Sequence, residues 1–432
     1  MYIEPKILKG FRDFLPQTEI IRRNLTEKIE NTFRSFGFVP IDTPAIEYSE
    51  ILLGKGGGET EKQIYRFKDN GDRDVALRFD LTVPFARYVA LHKNELTFPF
   101  KRYHIGKVWR GENTQRGRYR EFTQCDFDII GSDSAQSDFE ILFLIRTALL
   151  NLGLDVSIHV NHRGIFNDFL VSIGLFEKSA DILRAVDKIS KIGEDETRKI
   201  LIEIAGEENA GKVLEYAGAK GSFKEVLNHI TELSGGQSPQ SQRLLNIDKY
   251  MREACGGKET DYFILNPSIT RGLDYYTGVV FETFLNDMPE IGSICSGGRY
   301  DNLAGLYSKD KDSISGVGSS IGLDRLLAAL ESLNKLPEAN NCVTAIACVN
   351  AENSGQYQSL AQKLRKEGIP CEVFSEGGRE NLVKQFILAE KKGLRYVLIT
   401  DDDSLNGKIT LRDLIARKNT GMTINEVIQK LR

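Results

Sequence analysis

Residues 100–131, FKRYHIGKVWRGENTQRGRYREFTQCDFDIIG, constrain this chain most, because two long runs keep strand alternation around a loop of turn-forming residues. Residues 100–110 and 118–130 read as antiparallel strands, and GENTQRG between them carries turn chemistry in its glycines, Asn and Thr. If Arg110 and Arg118 face each other across the loop, then Gly106, Phe122, Gln124, Asp126 and Asp128 share a sheet face with both arginines, since same-face positions keep the same parity. That face offers two guanidiniums suited to phosphate or carboxylate oxygens, an amide, two carboxylates and one aromatic plane. A solvated charged ribbon uses the same residue types, but their gathering on one face points to a ligand site.

At 432 residues the chain is too long for one ordinary core, and two or three domains are expected. With 41% hydrophobic and 27% charged residues it reads as soluble and globular; no apolar run approaches the ~20 residues of a membrane span. The opening MYIEPKILKGFRDFLP lacks a basic stretch followed by an apolar one, so no secretory signal is expected. The six cysteines form no C-x-x-C pair, which argues against a zinc knuckle or a disulfide framework and fits a reducing cytoplasm. The five histidines show no H-E-x-x-H spacing, and no protein-bound metal is expected. A net charge of −4 excludes a surface that is one nucleic-acid patch, though not a local basic cluster.

Along the chain, Thr18 to Gly37 places Ile21, Leu25, Ile29 and Phe33 on one helical stripe, with Gly37 as the stop. FVPIDTPAIEYSEIL follows as an extended segment that Pro40 and Pro44 confine to an edge or bulged path. GKGGGETEKQ (54–63) lacks the spacing of a phosphate loop and reads instead as a mobile loop near a site. From Phe166 to about Lys258 the pattern is helical and punctuated by glycine, as in an inserted helical subdomain. GVGSSIGLDRLLAAL (316–330) runs from strand to helix and sets Arg325 near a helix N-terminus, a place suited to anions. After the linker KLPEANN a β-α-β-α-β-β-α order indicates a small α/β domain, with Thr423 and Glu426 as a capping box and Gly393 as a helix stop.

Seven segments together carry a resemblance to the class II aminoacyl-tRNA synthetases, in the form seen in histidyl-tRNA synthetases. FKRYHIGKVWRGENTQRGRYREFTQCDFD resembles motif 2 of that family, which implies that Arg110 holds the ATP α-phosphate and the amino-acid carboxylate, Phe122 stacks on adenine, and residues 111–117 meet the tRNA acceptor end. LRFDLT resembles the segment that presents Asp80 and Thr82 to the substrate amino group. RGLDYYTG resembles a signature peculiar to histidyl-tRNA synthetases, implying Arg271 on the α-phosphate and Tyr276 at the imidazole, with Tyr275 beside it. SICSGGRYDNLAGLY resembles a second such motif, whose Gly297 and Gly298 can let backbone approach a ligand. The segment around Arg325 resembles motif 3, where the arginine binds the γ-phosphate and covers the adenine. The first helix and strand resemble motif 1, the dimer interface, and NLVKQF…KKG resembles an anticodon-binding domain.

The resemblance implies an α+β fold: a class II antiparallel-sheet catalytic domain over 1–335, a helical insertion over about 166–258, and a C-terminal α/β anticodon-binding domain over 341–432. It implies activation of L-histidine with ATP, Mg²⁺ bridging the phosphates, then transfer to tRNA(His), by a cytoplasmic homodimer without membrane attachment. Gln124 and Asp80 would hold the amino group. Asp128, on the same face as Gln124 and about 13 Å further along at ~3.3 Å per residue, would share the imidazole with Tyr276. The alternative is a non-catalytic relative, the synthetase-like regulatory subunit of ATP phosphoribosyltransferase, which typically lacks the C-terminal domain and erodes the arginines.

Overall fold

The computed structural model describes residues 2–54, 59–257, 261–269, 275–308, 313–337, 339, 342–400 and 409–432. Contacts divide the chain into two compact units, residues 1–13 with 24–336, and residues 14–23 with 337–432.

In the first unit the strands are β1 (Val39–Pro40), β2 (Ile46–Tyr48), β3 (Arg66–Lys68), β4 (Asp74–Leu77), β5 (Phe100–Trp109), β6 (Glu121–Ile130), β7 (Val156–His162), β8 (Phe263–Leu265), β9 (Val279–Leu285), β10 (Cys295–Tyr300) and β11 (Gly316–Gly322). Eight of them form one sheet in the order β1-β5-β6-β11-β10-β9-β7-β8, and β2-β4-β3 form a small second sheet. The large sheet is antiparallel except at its margins, where β1 runs parallel to β5 and β8 parallel to β7.

Strand β6 lies inside this sheet and explains its own composition. Its odd positions Cys125, Phe127 and Ile129 are buried in apolar surroundings, where Phe127 lies 4.8 Å from Phe33 between ring centroids. The helix Pro16–Ser35 carries that Phe33, and the whole stripe of Ile21, Leu25, Ile29 and Phe33 is buried. Its even positions Gln124, Asp126 and Asp128 are polar, so one face makes core and the other is left for chemistry.

The register of β5 on β6 differs from the expected one. Trp109 pairs with Glu121, and the Arg110 N–H donates to the Arg120 carbonyl at 2.9 Å, so Arg110 stands opposite Arg120 rather than Arg118. Arg118 instead closes a tight bridge with Gln115 inside the loop. The partner moved by two residues, which preserves parity, and the even face keeps Phe122, Gln124, Asp126 and Asp128 together. Of the glycine-rich segment 54–63, residues 59–63 are a short helix, and residues 55–58 lie outside the described residues.

Helices from Arg163–Ser172 to Pro239–Ala254 form the region between β7 and β8, packed on rings such as Phe169 and Tyr216, stacked at 4.6 Å. A buried ion network ties this region to the sheet. Asp138, on the helix Ala135–Asn151, accepts from Arg299 Nε at 2.8 Å and Nη2 at 2.6 Å on β10, and also from Arg243 on the helix Pro239–Ala254.

The second unit holds β12 (Thr344–Ile346), β13 (Cys371–Val373), β14 (Tyr396–Ile399), β15 (Ile409–Asp413) and β16 (Lys418–Met422) in the order β13-β12-β14-β15-β16. β16 exceeds the expected count of strands: KNTGM is short, polar and without alternation, and it becomes a strand through five residue pairs with β15. The Thr423–Glu426 capping box forms, and Gly393, at φ +72°, follows the helix Leu382–Lys391. The expected turn DDDSLNG lies outside the described residues.

Because Arg299 and Asp138 are both buried, removing Arg299 leaves Asp138 Oδ1 without its donors and Arg243 as the remaining counter-charge. Arg299→Leu is expected to lower unfolding stability by about 3–5 kcal/mol in urea titration; a loss under about 1 kcal/mol would show that the pair is dispensable.

Candidate active site

The even face of β6 opens into a cavity of about 390 Å³. Arg110, Phe122, Gln124 and Asp128 reach it from the hairpin, Asp80 and Thr82 from the segment after β4, Tyr275 and Tyr276 from the segment before β9, and Arg325 from the helix Leu323–Ser332. Arg271 lies outside the described residues.

One group of lining residues is rich in guanidinium. Arg110 donates from Nε to the Phe79 carbonyl at 2.9 Å, which fixes the fork and leaves its terminal nitrogens for a ligand, and its Cζ lies 5.2 Å from the Phe122 ring centroid. Glu112 stands 3.7 Å from both Arg110 and Arg118. Arg325 donates to the Ser293 carbonyl. Burial, with Arg118 and Arg110 nearby, brings its pKa down to about 10 against the opposing pull of Glu112 and Glu282, so it stays charged at neutral pH. Like charges gathered this closely mark a place for an anion.

The other group is rich in carboxylate. Asp80 accepts from the Val83 N–H at 3.1 Å and from the Tyr275 hydroxyl at 3.2 Å. Asp126 lies 3.5 Å from the Thr82 hydroxyl. Asp128 faces the cavity as its parity requires, but protein already engages both its oxygens: the Tyr300 hydroxyl donates to Oδ1 at 2.7 Å, and Arg102 Nη2 lies 2.6 Å from Oδ2. Arg102 has no exposed surface and lies 4.1 Å from the centroid of the Phe85 ring. Burial raises all three carboxyls, Asp80 to about 6 and Asp126 to about 7, while Arg102 pulls each back.

Three participants escaped the sequence reading. Arg102 was legible, since it is an even position of β5 and pairs directly with Asp128 once the register is known. Asp126 was placed on the face but given no task. Tyr300 had no local signal, because it comes from β10, with β11 between it and β6. The glycines also work differently from expectation. A Cβ on Gly298 would lie 3.0 Å from the Tyr276 ring, and one on Gly318 only 1.9 Å from Asp128 Oδ1, so these positions make room for site side chains. No group of three or more His, Cys, Asp or Glu that could hold a metal occurs among the described residues.

Residues 10–326 match the family model described as histidyl-tRNA synthetase, and residues 344–432 match that of the anticodon binding domain. The chain belongs to the histidyl-tRNA synthetase family. Among the relatives of this histidyl-tRNA synthetase family member, the histidine–tRNA ligase of Treponema denticola is 53% identical, covering 100% of this chain and 98% of its own. That of Rhodopirellula baltica is 44% identical over 96% and 95%. The crystal structure of histidyl-tRNA synthetase from Nostoc superposes with a TM-score of 0.85 at 30% identity, covering 100% of this chain and 99% of that one. A Bacillus halodurans structure described as an ATP phosphoribosyltransferase regulatory subunit/histidyl-tRNA synthetase shares the fold, with a TM-score of 0.75 at 22% identity over 92% and 99%.

In this histidyl-tRNA synthetase family member the raised carboxyls make a pH signature. Asp80 and Asp126 keep their protons in the folded protein where the unfolded chain, with an aspartate pKa of about 3.9, has lost them. Their contribution therefore favours folding at the acid end and is lost as pH rises through about 6 and 7. Asp126→Asn has no proton to lose, so its stability relative to wild type should grow between about pH 4 and 7 in urea titrations; a difference flat across that interval would contradict the burial of charge at Asp126.

Proposed function

We propose that this cavity is where L-histidine and ATP combine as histidyl-adenylate before the histidyl group passes to the 3′ end of tRNA(His). The chain is a histidine–tRNA ligase, and ATP is its substrate. The observation that carries the reaction reading is the composition of one cavity: guanidiniums for phosphates among its walls and carboxylates for a cationic amino acid on its floor.

Histidine's carboxylate is ionised at neutral pH and attacks the α-phosphorus without a general base, so the protein's work is alignment and neutralisation of charge on the phosphoryl oxygens. Arg110 and Arg271 take the α-phosphate, Phe122 and Arg325 the adenine, and Arg325 the γ-phosphate. Mg²⁺ would offset the charge of the ATP phosphates, and Glu112 and Glu282, the carboxylates whose charge Arg325 feels, would hold it. Asp80, Thr82 and Gln124 receive the amino group, with Tyr275 holding Asp80 through its hydroxyl. Asp128 and Tyr276 face the imidazole.

Residues 341–432 serve as the anticodon-binding domain and 1–335 as the catalytic domain, the insertion of about 166–258 contacts tRNA, and residues 111–117 meet the acceptor end. The half-exposed Val39, Ile46 and Tyr48 near the start of the chain support a homodimer. The enzyme works in the cytoplasm, consistent with six cysteines that are all free thiols.

Purified protein should exchange pyrophosphate into ATP only when histidine is present; no histidine-dependent exchange would overturn the reading. Arg110→Ala should lower the exchange kcat by roughly 10²–10³ while the thermal midpoint stays put, since a preorganised donor to the transition state is lost. Sedimentation at micromolar concentration should show a dimer, and a lone ~48 kDa species would count against it.

A further inference from the structure

Asp126 is the one carboxylate of the cavity floor without a task. The register of β6 sets it between His104 on β5 and Ser320 on β11, and only 2% of it is exposed. Its Oδ2 has a long contact with Thr82, 3.5 Å away, and its Oδ1 is buried with no hydrogen-bond partner among the described residues. Neighbouring cations offset its charge only in part. Arg102 is drawn to Asp128, 2.6 Å away, and the His104 ring is neutral, since burial and the charges of Arg102 and Arg78 push its pKa down to about 3. Ser320 favours its charged form, yet a buried carboxylate with one oxygen left unsatisfied still costs stability, and an asparagine of the same shape would avoid that cost. Its presence therefore calls for a cation that arrives with the ligand.

A second atom in the same place narrows the ligand group. Gln124, the adjacent same-face residue, donates from Nε2 to Ser320 Oγ at 2.9 Å, which orients the amide and leaves Oε1 buried without a partner among the described residues. Two neighbouring acceptors thus lack donors. A neutral imidazole has one N–H and can satisfy only one of them, whereas an ammonium has three N–H groups and a full charge.

We propose that Asp126 is a further substrate-binding residue that pairs with the α-ammonium of the bound amino acid, together with Gln124 Oε1. This rests on the reading of the cavity as the histidine site. Asp80, with both oxygens held by Val83 and Tyr275, then acts mainly as a fixed charge beside the ammonium.

The test uses full-length Asp126→Asn, which keeps shape and removes charge. In pyrophosphate exchange the KM for histidine should rise roughly 10- to 100-fold, the loss of a charge-assisted partner, while the KM for ATP stays within about twofold. Two competitive inhibitors separate the substrate groups. L-Histidinol, which keeps the ammonium and imidazole, should lose affinity by a factor similar to histidine's. Imidazolepropionate, which lacks the amino group, should bind wild type and variant alike. The ligand-free variant should melt at the same temperature or higher, with the histidine-induced rise in midpoint diminished. Equal losses for both inhibitors would assign Asp126 to the imidazole and overturn the proposal. A lowered midpoint with unchanged histidine KM would make Asp126 a packing residue and overturn it as well. Wild-type protein without histidine-dependent exchange would instead remove the site reading beneath both, a result visible before any variant is made.

Discussion

Everything at the floor of the cavity depends on one guanidinium that water does not reach. Arg102 has no exposed surface, sits against the Phe85 ring and meets Asp128 at 2.6 Å, and its charge is felt by Asp80, Asp126 and Asp128 together. Without it three buried carboxyls would face one another in a low-dielectric space, and they would hold their protons rather than their charge. With it they remain one positive charge short of easy ionisation. The floor is thereby tuned for a cationic guest, and the tuning comes from the scaffold rather than from any group that meets the guest.

The scaffold reaches that arrangement through alternation. Strand β6 spends its odd residues on core, where Phe127 packs on Phe33, and its even residues on the cavity. The same parity made much of the site legible from sequence, and it survived an error in register because the true partner of Arg110 is displaced by two residues. What stayed illegible has a common cause. Tyr300 reaches Asp128 from a strand more than 170 positions away in the chain, and no local pattern foretells such a meeting. β16 likewise exists through its neighbour β15 rather than through its own composition. Helix caps and stops, being local, were read correctly at Thr423 and Gly393.

The helical region is not an appendage hung on the sheet. Asp138 joins Arg299 of β10 and Arg243 of the helix Pro239–Ala254 in one buried network, and Arg163, at the start of the helix Arg163–Ser172, donates to the Tyr276 carbonyl. The backbone that carries the aromatic wall of the cavity is thus held by the first residue of the helices that follow β7. A displacement of those helices has a hydrogen-bonded route to the aromatic wall through Arg163.

Gly318 carries a different lesson. The room its missing methyl would fill is occupied by the Asp128 carboxylate, and Gly298 yields comparable room to the Tyr276 ring. Two absent side chains therefore act as the mould for two present ones. A lineage or a designer wishing to enlarge this chamber for a bulkier amino acid cannot trade these residues one at a time: a methyl at 318 evicts the acid, and an acid without its hollow cannot return. The chamber's shape is inherited in pairs, and that coupling guards its selectivity as firmly as any contact with the guest.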